Sequence, residues 1–322
     1  MNVANYLTDP HIEVQTKAFL KALNTGGGKP METLTPAAAR AVLEGAQTSV
    51  AVDLSGIDTL EKTIEQDGLT VKITIVRPAG VEGSLPAFMF FHGGGWVLGD
   101  FPTHQRMIRD LVVNSGAVGV YVDYSRSPEA QYPVAINEAY AATKWIAANG
   151  GEINVDGSRL AVAGNSVGGN MATVIALMAK EKKGPEIKLQ VLLWPVTNAD
   201  FETDSYNQYA SDRFLTKNMM IWFWDNYMPE EQRDEIYASP LKATLEQLKG
   251  LPPALVQTAE NDVLRDEGEA YARKLNEAEV PVTLVRYQGM IHDYGLLNPL
   301  IHIPGIQSAL RYAGIELKKA LE

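Results

Sequence analysis

A serine flanked by two glycines at equal spacing is the first feature of this chain that points to chemistry. "RLAVAGNSVGGNMATVIALMAK", residues 159 to 180, reads as a strand, then the turn Gly164-Asn165-Ser166-Val167-Gly168, then a helix. The pattern G-x-S-x-G recurs by chance, but between a strand and a helix it is a strong signal for a nucleophile elbow. A serine on so tight a turn has a strained backbone and projects its hydroxyl into the open. Side chains two residues to either side would collide, and Gly164 and Gly168 remove them. The turn also sets the Val167 backbone N–H and the positive end of the following helix beside Ser166, where negative charge develops during acyl transfer. A plain helix N-cap serine is the bland alternative.

A serine hydroxyl is a poor nucleophile without a base, and a histidine base needs a carboxylate to orient it. Of the five histidines, His11 lies in the N-terminal segment, His92 opens a glycine run, His104 sits just beyond it and His302 is in the final helical region. His292, in "VTLVRYQGMIHDY", follows the last strand by a short loop and could swing over Ser166. It is the expected base. The acid should come from the loop after the preceding strand, "PALVQTAENDVLRDEGEAYARKL", where Glu260, Asp262, Asp266 and Glu267 compete. Asp266 and Glu267 read as first-turn helix residues that meet the helix dipole and do nothing else. Asp262 sits in the loop itself and is preferred, with Asp266 second.

The order Ser, Asp, His is that of the α/β-hydrolases, and it gives a purpose to "FMFFHGGGWVLGD", residues 88 to 100. If backbone N–H groups are to hold an oxyanion, the loop after this strand must bring its main chain close, which side chains would obstruct. Gly93, Gly94 and Gly95 permit the approach. The amides of Gly94 and Gly95 are expected to join that of Val167 while Gly93 supplies the turn, though the sequence leaves open which two glycines donate. His92 is expected to support the loop through hydrogen bonds and not to act as base.

These groups must be carried by a scaffold. "LEKTIEQ" and "LTVKITIVRP" flank Asp67-Gly68, a hairpin signal, and "PAFMFF", "AVGVYVD", "RLAVA", "KLQVLLWP", "PALVQTA" and "VPVTLVRY" follow as strands. Helical patterns such as "VAINEAYAATKWIAA" lie between them, which implies a mostly parallel sheet covered on both faces. Sites in such sheets form at the carboxyl ends of the strands. Between "LLWPVTNAD" and "LPPALVQ" the rhythm stops, and "YNQYASDRFLTKNMMIWFWDNYM" reads either as a buried helix pair or as a lid with Met219, Met220, Trp222, Phe223 and Trp224 toward an apolar ligand. Trp96, Met219, Trp222 and Phe223 are expected to line the substrate pocket. The second glycine run, in "NTGGGKPMETLTP", lacks the Gly-Lys-Ser/Thr of a phosphate loop and reads as a connector.

With 322 residues and 46% hydrophobic content the chain can bury one large core, and its net charge of −11 argues against nucleic-acid or anionic-membrane partners. It has no cysteine, which excludes disulfides and thiolate chemistry. "MNVANYLTDPHIEV" lacks the pattern of a secretory signal, and no window approaches an apolar membrane span. A soluble cytoplasmic protein without stable membrane insertion is the expectation.

Taken together, "HGGGW" at 92 to 96, "GNSVGG" at 164 to 169, "DVLRDEGEAYA" at 262 to 272 and "GMIH" at 289 to 292 resemble the bacterial hormone-sensitive-lipase group of α/β-hydrolase esterases. "VDYSRSPEAQYPVAINEAYAATKW" is similar to that group's stretch between oxyanion loop and nucleophile, and the resemblance spans roughly residues 60 to 320. It implies an α/β-hydrolase fold with a mostly parallel eight-stranded sheet, flanking helices and a helical cap. The cap would join an N-terminal segment, 1–50, to an insertion at approximately 198–238 of a catalytic domain spanning 51–322. It further implies a serine carboxylesterase acting on short- to medium-chain acyl esters with no cofactor or metal, and with Ser166 as nucleophile, His292 as base and Asp262 as orienting acid. A preference for amides, lactones or carbonates, or a ligand receptor on the same fold, are the rival readings. A homodimer through the last strand is a family-level expectation. Three departures stand out. The elbow has Asn165 and Val167 where the family usually has Asp and Ala. Asp293-Tyr294 follows the base where Gly-Phe is common, which could raise the pKa of His292 or merely point to solvent. Arg126 is displaced by one position from the family's arginine.

Overall fold

The computed structural model describes residues 5–322. Residues 1–4, the start of the N-terminal segment, lie outside the described residues. The hairpin Ile57–Gln66 (β1) and Leu69–Pro78 (β2) turns on Asp67 and Gly68, whose φ values of 56° and 77° are the two left-handed conformations of a type I′ turn. Leu85–Phe91 (β3), Val118–Asp123 (β4), Val155–Asn165 (β5), Gln190–Leu193 (β6), Ala254–Asn261 (β7) and Val282–Ile291 (β8) complete one eight-stranded sheet ordered β1-β2-β4-β3-β5-β6-β7-β8. β1–β2 and β2–β4 pair antiparallel and all other neighbours pair parallel.

The helices are Val14–Thr25 (α1), Pro36–Thr48 (α2), Phe101–Ser115 (α3), Val134–Asn149 (α4), Val167–Glu181 (α5), Asp204–Gln208 (α6), Lys217–Tyr227 (α7), Leu245–Leu248 (α8), Arg265–Glu277 (α9) and Pro304–Leu321 (α10). β3 shows why its residues read as an unbroken apolar run. Phe88 and Phe90 face a core with α3 and α10, whereas Met89 and Phe91 face a second core with α4, α5 and α9. Side chains alternate faces along a strand, so a strand covered on both sides must be apolar throughout.

Residues 194–253 leave the sheet between β6 and β7 and contain α6, α7 and α8. On α7, Met220, Phe223, Trp224 and Tyr227 are buried while Trp222 is half-buried, so one helix both packs inward and keeps a partly open face. Asp266 and Glu267 do more than meet a helix dipole. Asp266 accepts the Ser205 amide at 2.7 Å, and Glu267, fully buried, accepts the amides of Thr197 and Asn198 at 2.6 and 3.1 Å. Both carboxyls tie the base of this insertion to α9, because the chain leaving β6 passes directly over the start of that helix. The N-terminal segment is tied to the insertion by the buried pair Asp9–Arg213 at 2.9 Å.

Candidate active site

β5 ends at Asn165 and α5 begins at Val167, leaving Ser166 alone on the bend with φ 55° and ψ −122°. That φ is costly for a residue with a side chain and persists only where its surroundings impose it. The glycines are what allow it. A Cβ on Gly164 would stand 2.2 Å from the Gly168 carbonyl oxygen, and one on Gly168 would stand 1.9 Å from that of Phe91.

His292 follows the end of β8, and its Nε2 lies 3.0 Å from Ser166 Oγ. Its Nδ1 lies 2.7 Å from Asp262 Oδ2, in the loop leaving β7. Asp262 is held in turn by the Leu264 amide, which donates to Oδ1 at 3.0 Å. The pattern sets Nδ1–H toward Asp262 and the Nε2 lone pair toward the serine hydroxyl. Ser166, Asp262 and His292 are only 4%, 2% and 2% exposed. Of the competing acids, Glu260 points elsewhere, accepting the Gly289 amide and facing His11, and Asp266 and Glu267 are taken up by the insertion. Burial disfavours a charged His292, but the carboxylates of Asp262 and then Asp293 outweigh it, so its pKa lies above the ordinary imidazole value. Burial drives His92 well below that value and pushes His104 down to about 4. Both therefore stay neutral and fit support better than proton exchange.

In the glycine loop the structure differs from expectation at one residue. Of the three glycines, Gly94 and Gly95 have left-handed φ values, 105° and 63°, as does Trp96 after them at 60°, while Gly93 has no positive φ. Gly93 is required for proximity: a Cβ there would lie 2.4 Å from Asn165 Nδ2. Its amide donates to Asn165 Oδ1 at 3.0 Å and to His104 Nε2 at 3.3 Å, binding the loop to the elbow. Among the described residues the amides of Gly94, Gly95 and Val167 donate to no protein acceptor. His92 stacks on Tyr124 with centroids 4.1 Å apart, and its Nδ1–H donates to the Gly93 carbonyl at 2.8 Å. The Tyr124 hydroxyl donates to the His92 carbonyl at 2.8 Å.

The α/β-hydrolase fold family matches residues 88–296, a span that takes in the glycine loop, the elbow, Asp262 and His292. The chain belongs to this family. A thermostable esterase from Pseudomonas putida ECU1011 is 68% identical, with a TM-score of 0.97 over 98% of this chain and 99% of its own. By sequence, an α/β hydrolase of Acanthamoeba polyphaga mimivirus is 38% identical over 314 residues, 96% of this chain and 88% of that protein. Carboxylesterase NlhH of Mycobacterium tuberculosis is 36% identical over 264 residues, 81% of this chain and 82% of that protein. This α/β-hydrolase is a carboxylic ester hydrolase.

Two departures from the usual motifs meet inside this hydrolase. Asp293 does not point to solvent: it is buried, with Oδ2 3.8 Å from His292 Nε2. Its Oδ1 accepts Asn165 Nδ2 at 3.0 Å and Trp194 Nε1 at 2.7 Å. Asn165 thereby bridges the glycine loop, through its Oδ1, to the carboxylate beside the base. Neither the part of Trp194 nor the bridge is visible in the sequence, where Asn165 and Asp293 stand only as separate departures from the family pattern. The displaced Arg126 donates to the Gly99 carbonyl at 2.7 Å, at the end of the glycine loop.

Among the expected pocket residues, Phe223 reaches the glycine loop, since a Cβ on Gly95 would lie 2.1 Å from its ring. Trp222 packs against Phe223 with centroids 5.3 Å apart and remains partly open, and Met219 is buried on the same helix. Trp96 stands apart from the others. It is fully buried, stacked on Tyr227 at 3.9 Å and edge-on to Trp224, so it fastens the loop to α7 and presents no open wall. Among the described residues no helix is long and apolar enough to cross a membrane, and no group of three His, Cys, Asp or Glu side chains could hold a metal.

Proposed function

We propose that this ester hydrolase works through an acyl-enzyme on Ser166, within the hormone-sensitive-lipase-like group. The observation that carries the reading is the unbroken chain from Ser166 Oγ through both nitrogens of His292 to Asp262, at 3.0 and 2.7 Å. Ser166 Oγ attacks the ester carbonyl as His292 Nε2 takes its proton. The carbonyl oxygen, now an anion, meets the free amides of Gly94, Gly95 and Val167. His292 returns the proton to the alkoxide, which leaves as the alcohol. Water then attacks the acyl carbon, giving its proton to His292, and the acid departs as that proton returns to Ser166. Asp262 keeps Nδ1 protonated and stabilises the imidazolium without taking the proton.

Residues 1–50 and approximately 198–238 form the cap in this reading, over the 51–322 catalytic domain, with Phe223, Met219 and Trp222 bounding a short- to medium-chain acyl site. Support comes from Phe223 packed on Gly95 and from the carboxyl ties at Thr197, Asn198 and Ser205. A homodimer would pair β8 with its copy, since β8 lies at the sheet edge, and a monomer mass in light scattering would end that part. The main test is hydrolysis of p-nitrophenyl acetate, butyrate, octanoate and palmitate by the native protein, Ser166→Ala and His292→Ala. Both variants should lose several powers of ten on the shorter esters. Turnover surviving Ser166→Ala would overturn the mechanism.

A further inference from the structure

The glycine loop has no side chains at 93 to 95 with which to hold itself, so the direction of its amides depends on what grips the peptide groups around them. Within the loop, the Gly94 carbonyl accepts the amides of Val97 at 3.1 Å and Leu98 at 2.7 Å. Further along, carbonyls are gripped from outside it. The Ser127 amide donates to the Trp96 carbonyl at 2.9 Å and Arg126 donates to that of Gly99 at 2.7 Å, both from the segment after β4. The third donor comes from α2. Arg40 Nε donates to the Val97 carbonyl at 2.8 Å. The same guanidinium donates to the Ser127 carbonyl at 3.1 Å and forks onto both Glu129 oxygens at 2.8 and 2.7 Å.

We propose that Arg40 is a positioning residue for ester hydrolysis: through the Val97 carbonyl and Glu129 it locks the oxyanion loop to the segment after β4. The N-terminal segment thereby acts on the chemical step as well as on access to the site. This rests on the reading that the Gly94 and Gly95 amides receive the oxyanion. Arginine suits the task because one rigid planar group can serve three acceptors in fixed directions, which a lysine ammonium on a flexible stem cannot. The side chain is 16% exposed, which shields the bond to Val97 from competing water. Hydrogen bonds from Arg40 bring the Glu129 carboxyl down to about 2, so the clasp stays charged across any working pH.

The test uses the full chain with Arg40→Ala, Arg40→Lys, Glu129→Gln and Ser166→Ala, assayed well below each melting temperature with p-nitrophenyl butyrate. Inhibition by an alkyl trifluoromethyl ketone supplies the second readout. Ser166 Oγ adds to its carbonyl, the serine proton passes to His292, and the ketone oxygen becomes an anion where the oxyanion would sit. Arg40→Ala should lower kcat by about ten- to a hundredfold, as expected when catalytic donors drift by a fraction of an ångström, with KM within about twofold. Inhibitor affinity should fall in parallel, and Arg40→Lys should recover part of both. An unchanged kcat, a rise in KM at constant kcat, or a loss of kcat without weaker inhibition overturns the proposal. If Arg40→Ala does not fold, Glu129→Gln, which keeps Arg40 and relaxes its fork, must still lower kcat a few-fold, and an unchanged kcat there counts equally against it. Turnover by Ser166→Ala would instead sink the acyl-enzyme reading, whatever the Arg40 variants do.

Discussion

Asp293→Asn removes one charge from beside the base while preserving its shape. The amide oxygen can still accept from Asn165 and Trp194, so the bridge to the glycine loop survives and only the electrostatics change. With Asp293 Oδ2 3.8 Å from His292 Nε2, Coulomb's law at an effective dielectric near 20 gives about 4 kcal/mol as a ceiling on the attraction to the imidazolium. Two donors already draw on the other oxygen of that carboxylate, so the realised effect is smaller. The sign follows from the role of the base. In the proposed mechanism His292 is neutral when it accepts the serine proton, its pKa is held up by Asp262 and Asp293 against burial, and losing one carboxylate lowers it. The acid limb of kcat/KM, which reports the free enzyme, should therefore move to lower pH, with the plateau reduced because a less basic imidazole accepts the proton less readily. The profile would be measured from about pH 4.5 to about 9 by chromatographic quantification of product. Asp293→Ala is the informative partner: it orphans the buried Asn165 and Trp194 donors, at about 1–3 kcal/mol each, and should impair kcat/KM even at the optimum. An acid limb that stays in place in Asp293→Asn would refute the electrostatic argument. Equal damage from both variants would refute the bridge.

Other substitutions test neighbouring parts of the structure. Gly95→Ala places a Cβ 2.1 Å from the Phe223 ring on a backbone of φ 63°, so the loop or α7 must shift. We expect kcat/KM to fall by about a hundredfold or more, partly restored when Phe223→Ala is added. No restoration would assign the loss to backbone strain alone. Burial raises the Glu267 pKa well above the ordinary carboxyl value. The folded state then keeps a proton that the unfolded chain releases, so this group costs stability progressively as pH rises above the unfolded pKa of about 4.5. Glu267→Gln removes that slope, and its melting temperature relative to the native protein should climb with pH over that interval. Parallel curves would show that Glu267 is ionised when folded.

What could be read from sequence and what could not divides along a physical line. The elbow was legible because its requirements are local: a strand, a serine at positive φ, and two glycines whose Cβ atoms would strike the backbone within a few residues or on the adjacent strand. Asp262 and His292 were legible because each lies just past a strand end that a parallel sheet brings to the same edge. The glycine run was only half legible. Three identical residues carry no internal asymmetry, and what distinguishes them is distant: Asn165 presses on Gly93, Leu98 on Gly94 and Phe223 on Gly95. The tethering roles of Asp266 and Glu267 are hidden in the sequence for the same reason, since a helix's first turn does not reveal that another segment crosses it. The most instructive pair is Asn165 and Asp293, 128 positions apart. Each by itself reads as damage to a motif, a carboxylate missing beside the nucleophile and one added beside the base. In the fold they are one arrangement: an amide has an oxygen for the Gly93 N–H and a nitrogen for a carboxylate, so asparagine at 165 creates the donor that a buried Asp293 requires. A second carboxylate at 165 would supply no such donor and would set two buried negative charges side by side. The two substitutions are therefore coupled, and Asn165→Asp should be tolerated better with Asp293→Gly than alone, a non-additivity that a double-mutant cycle on stability and kcat/KM would expose.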